Sequence, residues 1–162
     1  MKKPIVSWLA GAMLLVWFGA PVVSAESLGE MLRGAGWDRI LGVWVDQETN
    51  GQKIRLTYAW KYEDKVLELS AKTSDNEATA LIGVNGKTGE VYQVGADSKG
   101  TGSLGKWSAV DGDAILDLGF VTEGGNEGRL KIRHHMQDAN TLVITIEKEE
   151  PITITLVRSA ER

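Results

Sequence analysis

Residues 54–62 read IRLTYAWKY. Ile54, Leu56, Tyr58, Trp60 and Tyr62 take every second place, with Arg55, Thr57, Ala59 and Lys61 between them. An apolar residue at every second position puts one face of an extended chain toward a core and the other toward water. The stretch therefore predicts a half-buried strand, and the same rhythm continues on its C-terminal side. Leu67, Leu69 and Ala71 alternate with Glu68, Ser70 and Lys72. Ala78, Ala80, Ile82 and Val84 follow after Asp75-Asn76, and Asn85-Gly86 has the composition of a tight hairpin turn. Tyr92 and Val94 share a face in the next segment. Ala114, Leu116, Leu118 and Phe120 follow, then Leu130, Ile132, His134 and Met136, then Leu142, Ile144 and Ile146. Ile152, Ile154 and Leu156 close the series.

Most of these segments are joined by short turns, and short links between neighbouring strands make antiparallel hairpins. The predicted fold class is all-β: an antiparallel up-and-down meander of about 8–10 strands closed into a barrel, because closure removes the two unpaired edges. A two-sheet sandwich is the runner-up. The one helical signal is Ser27 to Ile40, where Ser27 and Glu30 have the spacing of a capping box and Gly34 and Gly36 stop the helix early.

Met1-Lys2-Lys3 precedes an uncharged, almost wholly apolar run from Ile5 to Val23, which exits through Val23-Ser24-Ala25. That order of basic start, apolar middle and small-residue exit is the pattern of a secretory signal, with cleavage expected after Ala25. The competing reading is a retained anchor. The expected organisation is a signal peptide over residues 1–25 and one domain over 26–162, secreted or periplasmic, with no stable membrane anchor once the signal is cut. Cleavage removes Lys2 and Lys3 and takes the formal charge from −4 to −6. An acidic domain lacks the basic footprint that nucleic acid requires. There is no cysteine, which rules out disulfides, a thiol nucleophile and thiolate metal sites.

The helical stretch runs into Ile40-Leu41-Gly42-Val43-Trp44. A Gly-x-Trp at the start of the first strand, ahead of an up-and-down meander, resembles the lipocalins and the wider calycin group, and looks closest to bacterial lipocalin-like domains of the DUF1579 type. The resemblance spans the mature chain in strand pattern but rests on Gly42 and Trp44 for motif residues. It implies that Trp44 plugs the closed end of the barrel and that a late arginine packs over it. Arg158 and Arg133 are both candidates for that arginine.

Gly100 to Lys106 spell G-x-x-x-x-G-K, one residue short of a phosphate-binding loop, but Trp107 stands where Ser or Thr is needed. No strand–loop–helix unit surrounds it, so no nucleotide is expected. A glycine-rich loop over 97–105 leading into a strand is expected instead, with Trp107 facing inward. His134 and His135 are adjacent and must point to opposite faces of a strand, so they cannot share a metal. His134 is expected inside, as a hydrogen-bonded core residue or the polar anchor of a cavity, and His135 in solvent. Asp117 is expected to face outward. No catalytic constellation, metal site or cofactor is predicted.

The inward aromatic face then nominates the ligand-binding residues: Tyr58, Trp60, Tyr92, Trp107, Phe120 and His134, around a modest pocket near the open end. The expected function is an exported lipocalin-like module binding a small apolar ligand inside the barrel. The alternative is a solid-barrel envelope protein or inhibitor that binds through loops 97–105 and 123–128. A weaker third reading is an enzyme using His134.

Overall fold

The computed structural model describes residues 26–160. The predicted signal peptide lies outside them. A short helix, α1 (Leu28–Gly34), and a 3₁₀ turn, Asp38–Ile40, precede ten strands. These are β1 (Gly42–Asp46), β2 (Ile54–Tyr62), β3 (Val66–Thr73), β4 (Glu77–Val84), β5 (Val91–Asp97), β6 (Gly102–Val110), β7 (Asp113–Val121), β8 (Glu127–Met136), β9 (Thr141–Glu147) and β10 (Ile152–Arg158). Each strand pairs antiparallel with the next, and β1 pairs with β10, so the sheet closes into a barrel. The barrel, and not the sandwich, is the solution that leaves no strand edge bare.

Alternation sets the register. In β2, Tyr58 is buried while its neighbour Ala59 is exposed. Trp44, Leu142 and Leu156, on three adjacent strands, are wholly buried at the centre of the core, with Leu67, Ile82 and Ile144 around them. α1 lies across the barrel end where the strands of the β2–β3, β4–β5, β6–β7 and β8–β9 hairpins turn. Its start is capped as the sequence predicts: Ser27 Oγ accepts from the Glu30 amide, and the Ser27 amide donates to the Glu30 carboxylate at 2.8 Å. Two hairpins hold this segment down. Arg33 pairs with Asp64 at 2.8 Å beyond β2, and the Trp37 indole donates to the Gly112 carbonyl at 3.1 Å beyond β6.

Two sequence expectations need correction. Residues 97–105 are mostly not a loop: β6 begins at Gly102, leaving only 98–101 as the turn. Gly105 is a strand glycine placed for room, since a Cβ there would lie 2.6 Å from Leu116 Cδ1. Gly128 does the same for Phe120, whose ring tip would be 2.2 Å from an added Cβ. A barrel wall that must admit large inward side chains thins its backbone opposite them, and glycine then signals packing and not a turn.

The second correction concerns β5. Tyr92 is 45% exposed and Val94 is exposed with it, so the face expected to be inward is the outer wall. Val91, Gln93 and Gly95 face the interior instead. Tyr92 is turned out because it covers Gly83, its cross-strand partner on β4. The Tyr92 hydroxyl and ring lie within 3.0–3.6 Å of where a Gly83 Cβ would stand. Shielding a bare glycine backbone with a cross-strand ring supplies the apolar contact that an inward position would otherwise give.

Candidate functional site

Trp44 closes the end of the barrel beneath α1. Its indole N–H donates to the Ile40 carbonyl at 2.7 Å, and the Arg158 guanidinium sits over the ring at 4.4 Å from its centroid. Arg158 Nη1 also donates to the Leu41 carbonyl at 2.7 Å, and Nη2 to the Arg39 carbonyl. One side chain thus ties the last strand to the chain entering the first. Gly42 makes this possible: its φ is +119°, and a Cβ would lie 2.8 Å from Arg158 Nη1. The sequence left Arg158 and Arg133 open for this position. Arg133 is on the outer wall instead, held by Asp113 and Glu147.

Next to this plug, at the end α1 covers and not at the open end the sequence predicts, is a cavity of about 320 Å³. Leu28, Leu32 and Trp37 roof it from the N-terminal segment. Its walls come from successive inward positions around the barrel, chiefly Tyr58, Leu67, Ile82, Trp107 and His134. Ala35, Gly89 and Ala109 border the space and are all exposed, so small residues frame an opening between α1 and the neighbouring hairpins.

The polar groups of this cavity are few. Tyr58 and His134 are 3% and 5% exposed, and neither Tyr58 Oη nor His134 Nδ1 has a hydrogen-bond partner in the protein. Trp107 packs at a tilt against the His134 ring, with centroids 4.8 Å apart, and its indole N–H donates to Gln93 Oε1 at 3.1 Å. Burial pushes the Tyr58 hydroxyl upward, so it stays protonated. Burial also drives the His134 imidazole down to about 4; the carbonyls of Ile132 and Ala114 oppose this shift without reversing it. Glu90 is the charged residue on the cavity border, and its carboxylate is paired with Lys106 at 2.7 Å.

The His134 environment carries a pH dependence of known sign. The folded barrel binds this proton less readily than the unfolded chain, whose imidazole titrates near the ordinary value of 6.5. Its stabilising contribution is complete above that value and is lost as pH falls toward about 4. Between pH ~7.5 and pH ~5, wild type is expected to lose about 2 kcal/mol more unfolding free energy than His134→Phe. Urea titrations of both proteins at the two pH values measure this; equal losses would show that His134 does not titrate differently on unfolding.

The six nominated ligand residues divide into four groups. Tyr58, Trp107 and His134 meet at this cavity. Trp60 is half-buried and packs against the core without lining the space. Phe120 lines a second cavity, of about 370 Å³, toward the opposite mouth among Leu69, Leu118 and Leu130. Tyr92 is outside. Gln93, buried and reaching Trp107 from the second cavity, was missed because it sits between the apolar Tyr92 and Val94, where alternation assigns it to solvent. Met31 and Leu67 were also not nominated as lining residues.

The near phosphate-binding stretch, 100–106, crosses a hairpin turn and enters β6, with no helix after it. His135 is exposed on the outer wall, with Nδ1 2.7 Å from Asp113 Oδ1, and Asp117 faces outward. Among the described residues no cluster of His, Asp and Glu could hold a metal ion, and no helix is long and apolar enough to cross a membrane.

No protein-family model and no curated protein matches this chain.

Proposed function

We propose that this chain is an exported lipocalin-like barrel that holds a small apolar molecule in the cavity beneath α1. The observation that carries the reading is the cavity itself: an apolar space of about 320 Å³ between barrel and helix, open to the outside where small exposed residues border it. Space on this scale lies at the lower end of ligand pockets. The Trp44–Arg158 arrangement supports the lipocalin-like reading, since a late arginine over the first-strand tryptophan is what that resemblance implies. Two cavities in one barrel weigh against the solid-barrel alternative, and shortening of the supposed loop 97–105 to 98–101 removes much of the surface that alternative relied on.

Native mass spectrometry of protein purified from its own host is the direct test. The expected spectrum shows a mature chain beginning at Glu26 with a bound adduct of small-molecule mass, lost on denaturation. A chain that carries no adduct and takes up no neutral solvatochromic dye would overturn the binding role. A chain beginning at Met1 would overturn cleavage after Ala25 and leave the retained anchor as the reading.

A further inference from the structure

The second cavity, about 370 Å³ toward the mouth opposite α1, has a wall of two kinds. Ala71, Ala78, Ala80 and Gly95 line it from β3, β4 and β5, whereas Leu118, Phe120 and Leu130 line it from β7 and β8. The small side chains leave a space that the large ones do not fill. Gln93 borders the same space. It precedes Asp97 by four residues on one face of β5, which sets it ~13 Å deeper along the strand. The Trp107 indole fixes the orientation of its amide by donating to Oε1 at 3.1 Å. An indole N–H only donates, so the oxygen is turned to it and the NH2 group is turned away. That NH2 group has no hydrogen-bond partner among the described residues. It is not sealed in either. Among the described residues, the unpartnered buried side-chain atoms cut off from water are Tyr58 Oη and His134 Nδ1. The Gln93 nitrogen is not one of them, so it keeps accessible surface although the residue as a whole is 5% exposed. The open space that Gln93 borders is the second cavity, and the nitrogen is reached from there.

We infer that this recess is a second binding site, independent of the one beneath α1, for an uncharged one- or two-ring molecule that enters with a carbonyl leading, accepts a hydrogen bond from the Gln93 amide nitrogen and lays its apolar body against Leu118, Phe120 and Leu130. The head group follows from the donor. An amide nitrogen offers only N–H groups, so the ligand must bring an acceptor, and a carbonyl accepts without adding a donor that must itself be satisfied. No Lys, Arg or His borders the cavity and the Asp97 carboxylate does, so an anion would enter against charge. Asp97 already accepts from the Asn76 side chain and from the Lys99 and Thr101 amides, which leaves it little capacity to replace the hydration of a cation. The size follows from volume: a dry cavity of about 150 Å³ holds one benzene ring, and this space is more than twice that.

Four probes of similar shape separate the possibilities: methyl 2-naphthyl ketone, 2-isopropylnaphthalene, 2-naphthoate and 2-naphthylmethylamine, titrated by calorimetry into the purified chain. The ketone is expected to bind ~10-fold tighter than the hydrocarbon, with the two charged probes weakest, because a site with an unused donor penalises an analogue that lacks the acceptor. Gln93→Leu should erase the ketone's advantage while hydrocarbon binding is retained and so reports an intact recess. The infrared carbonyl stretch of the bound ketone should lie at lower frequency in wild type than in Gln93→Leu, which reads the hydrogen bond directly. Ala71→Leu, which fills the recess and leaves the cavity beneath α1 untouched, should weaken ketone and hydrocarbon alike. Equal affinity for ketone and hydrocarbon in wild type would overturn the carbonyl assignment. Tightest binding of either charged probe would overturn the neutral head group. Ketone binding unchanged in Ala71→Leu, or failure of all four probes to bind a folded chain, would overturn the site.

Discussion

Replacing Trp44 by Ala is expected to lower the unfolding free energy by about 4 kcal/mol, a large share of the 5–15 kcal/mol that holds a typical domain. The indole is wholly buried, donates to the Ile40 carbonyl and carries the Arg158 guanidinium on its face. Truncation leaves a void at the barrel end and an unpaired Ile40 carbonyl, and takes the aromatic face away from the Arg158 guanidinium. Arg158→Lys should cost about 2 kcal/mol, since an ammonium cannot bridge the Leu41 and Arg39 carbonyls while lying flat on the ring. Urea denaturation of the two single variants and the double variant gives the coupling, expected at about 1 kcal/mol. A loss below 1 kcal/mol for Trp44→Ala would mean that the plug does not hold the barrel together.

The second large effect is expected at Asp46, a carboxylate buried at the end of β1. It accepts from the amides of Thr49, Lys53 and Ile54 and from the Thr49 hydroxyl, so it organises the whole turn between β1 and β2. Burial is the largest single influence on this group and acts upward, but the four hydrogen bonds together outweigh it and bring the carboxyl down to about 2. Asp46→Ala leaves those donors without an acceptor and should cost about 3 kcal/mol at neutral pH. The acid sensitivity has the opposite origin from that of His134. The folded carboxyl titrates below the ordinary 3.8 of the unfolded chain, so its contribution is complete above that value and is lost as pH falls through about 2. Wild type should lose about 2 kcal/mol more than Asp46→Asn between pH ~6 and pH ~2. Parallel denaturant titrations decide this, and matching losses would show that Asp46 is not held ionised by its loop.

The legible part of the fold was whatever alternation alone dictates. Ile54 to Trp60, Leu67 to Ala71 and Leu130 to Met136 announced their strands and their inward faces, and Ser27 with Glu30 announced the helix start, but Tyr62, expected inward with them, is exposed because the register shifts between Trp60 and Tyr62. β5 was misread because its outer face is the more apolar one: Tyr92 covers Gly83, Val94 lies between Leu81 and Leu104 across the wall, and the inner face carries Gln93 and Gly95. Binary pattern reads hydrophobicity and cannot see a cross-strand glycine. The same blindness turned Gly102 and Gly105 into a loop. At the site, the sequence could bring Tyr58, Trp107 and His134 to the interior, since each sits on a regular strand. It could not pair them around one cavity, because that depends on how ten strands wrap. Nor could it choose between Arg158 and Arg133, which differ only in the side of the wall they occupy.

The pairing of β1 with β10 has a kinetic consequence. Every other ladder joins neighbours in sequence, whereas Trp44 to Asp46 must find Leu156 to Arg158 at the far end of the described chain. Loop-closure entropy makes that contact slow to form, and the other nine ladders can zip before it does. Until β10 docks, the assembly is an open sheet with two unpaired edges and an uncovered Trp44, the kind of species that sticks to copies of itself. Losing the last strand would therefore not leave a slightly weaker barrel. It would hold the molecule at its most aggregation-prone stage, and refolding yield should fall with protein concentration far more steeply than equilibrium stability alone would suggest.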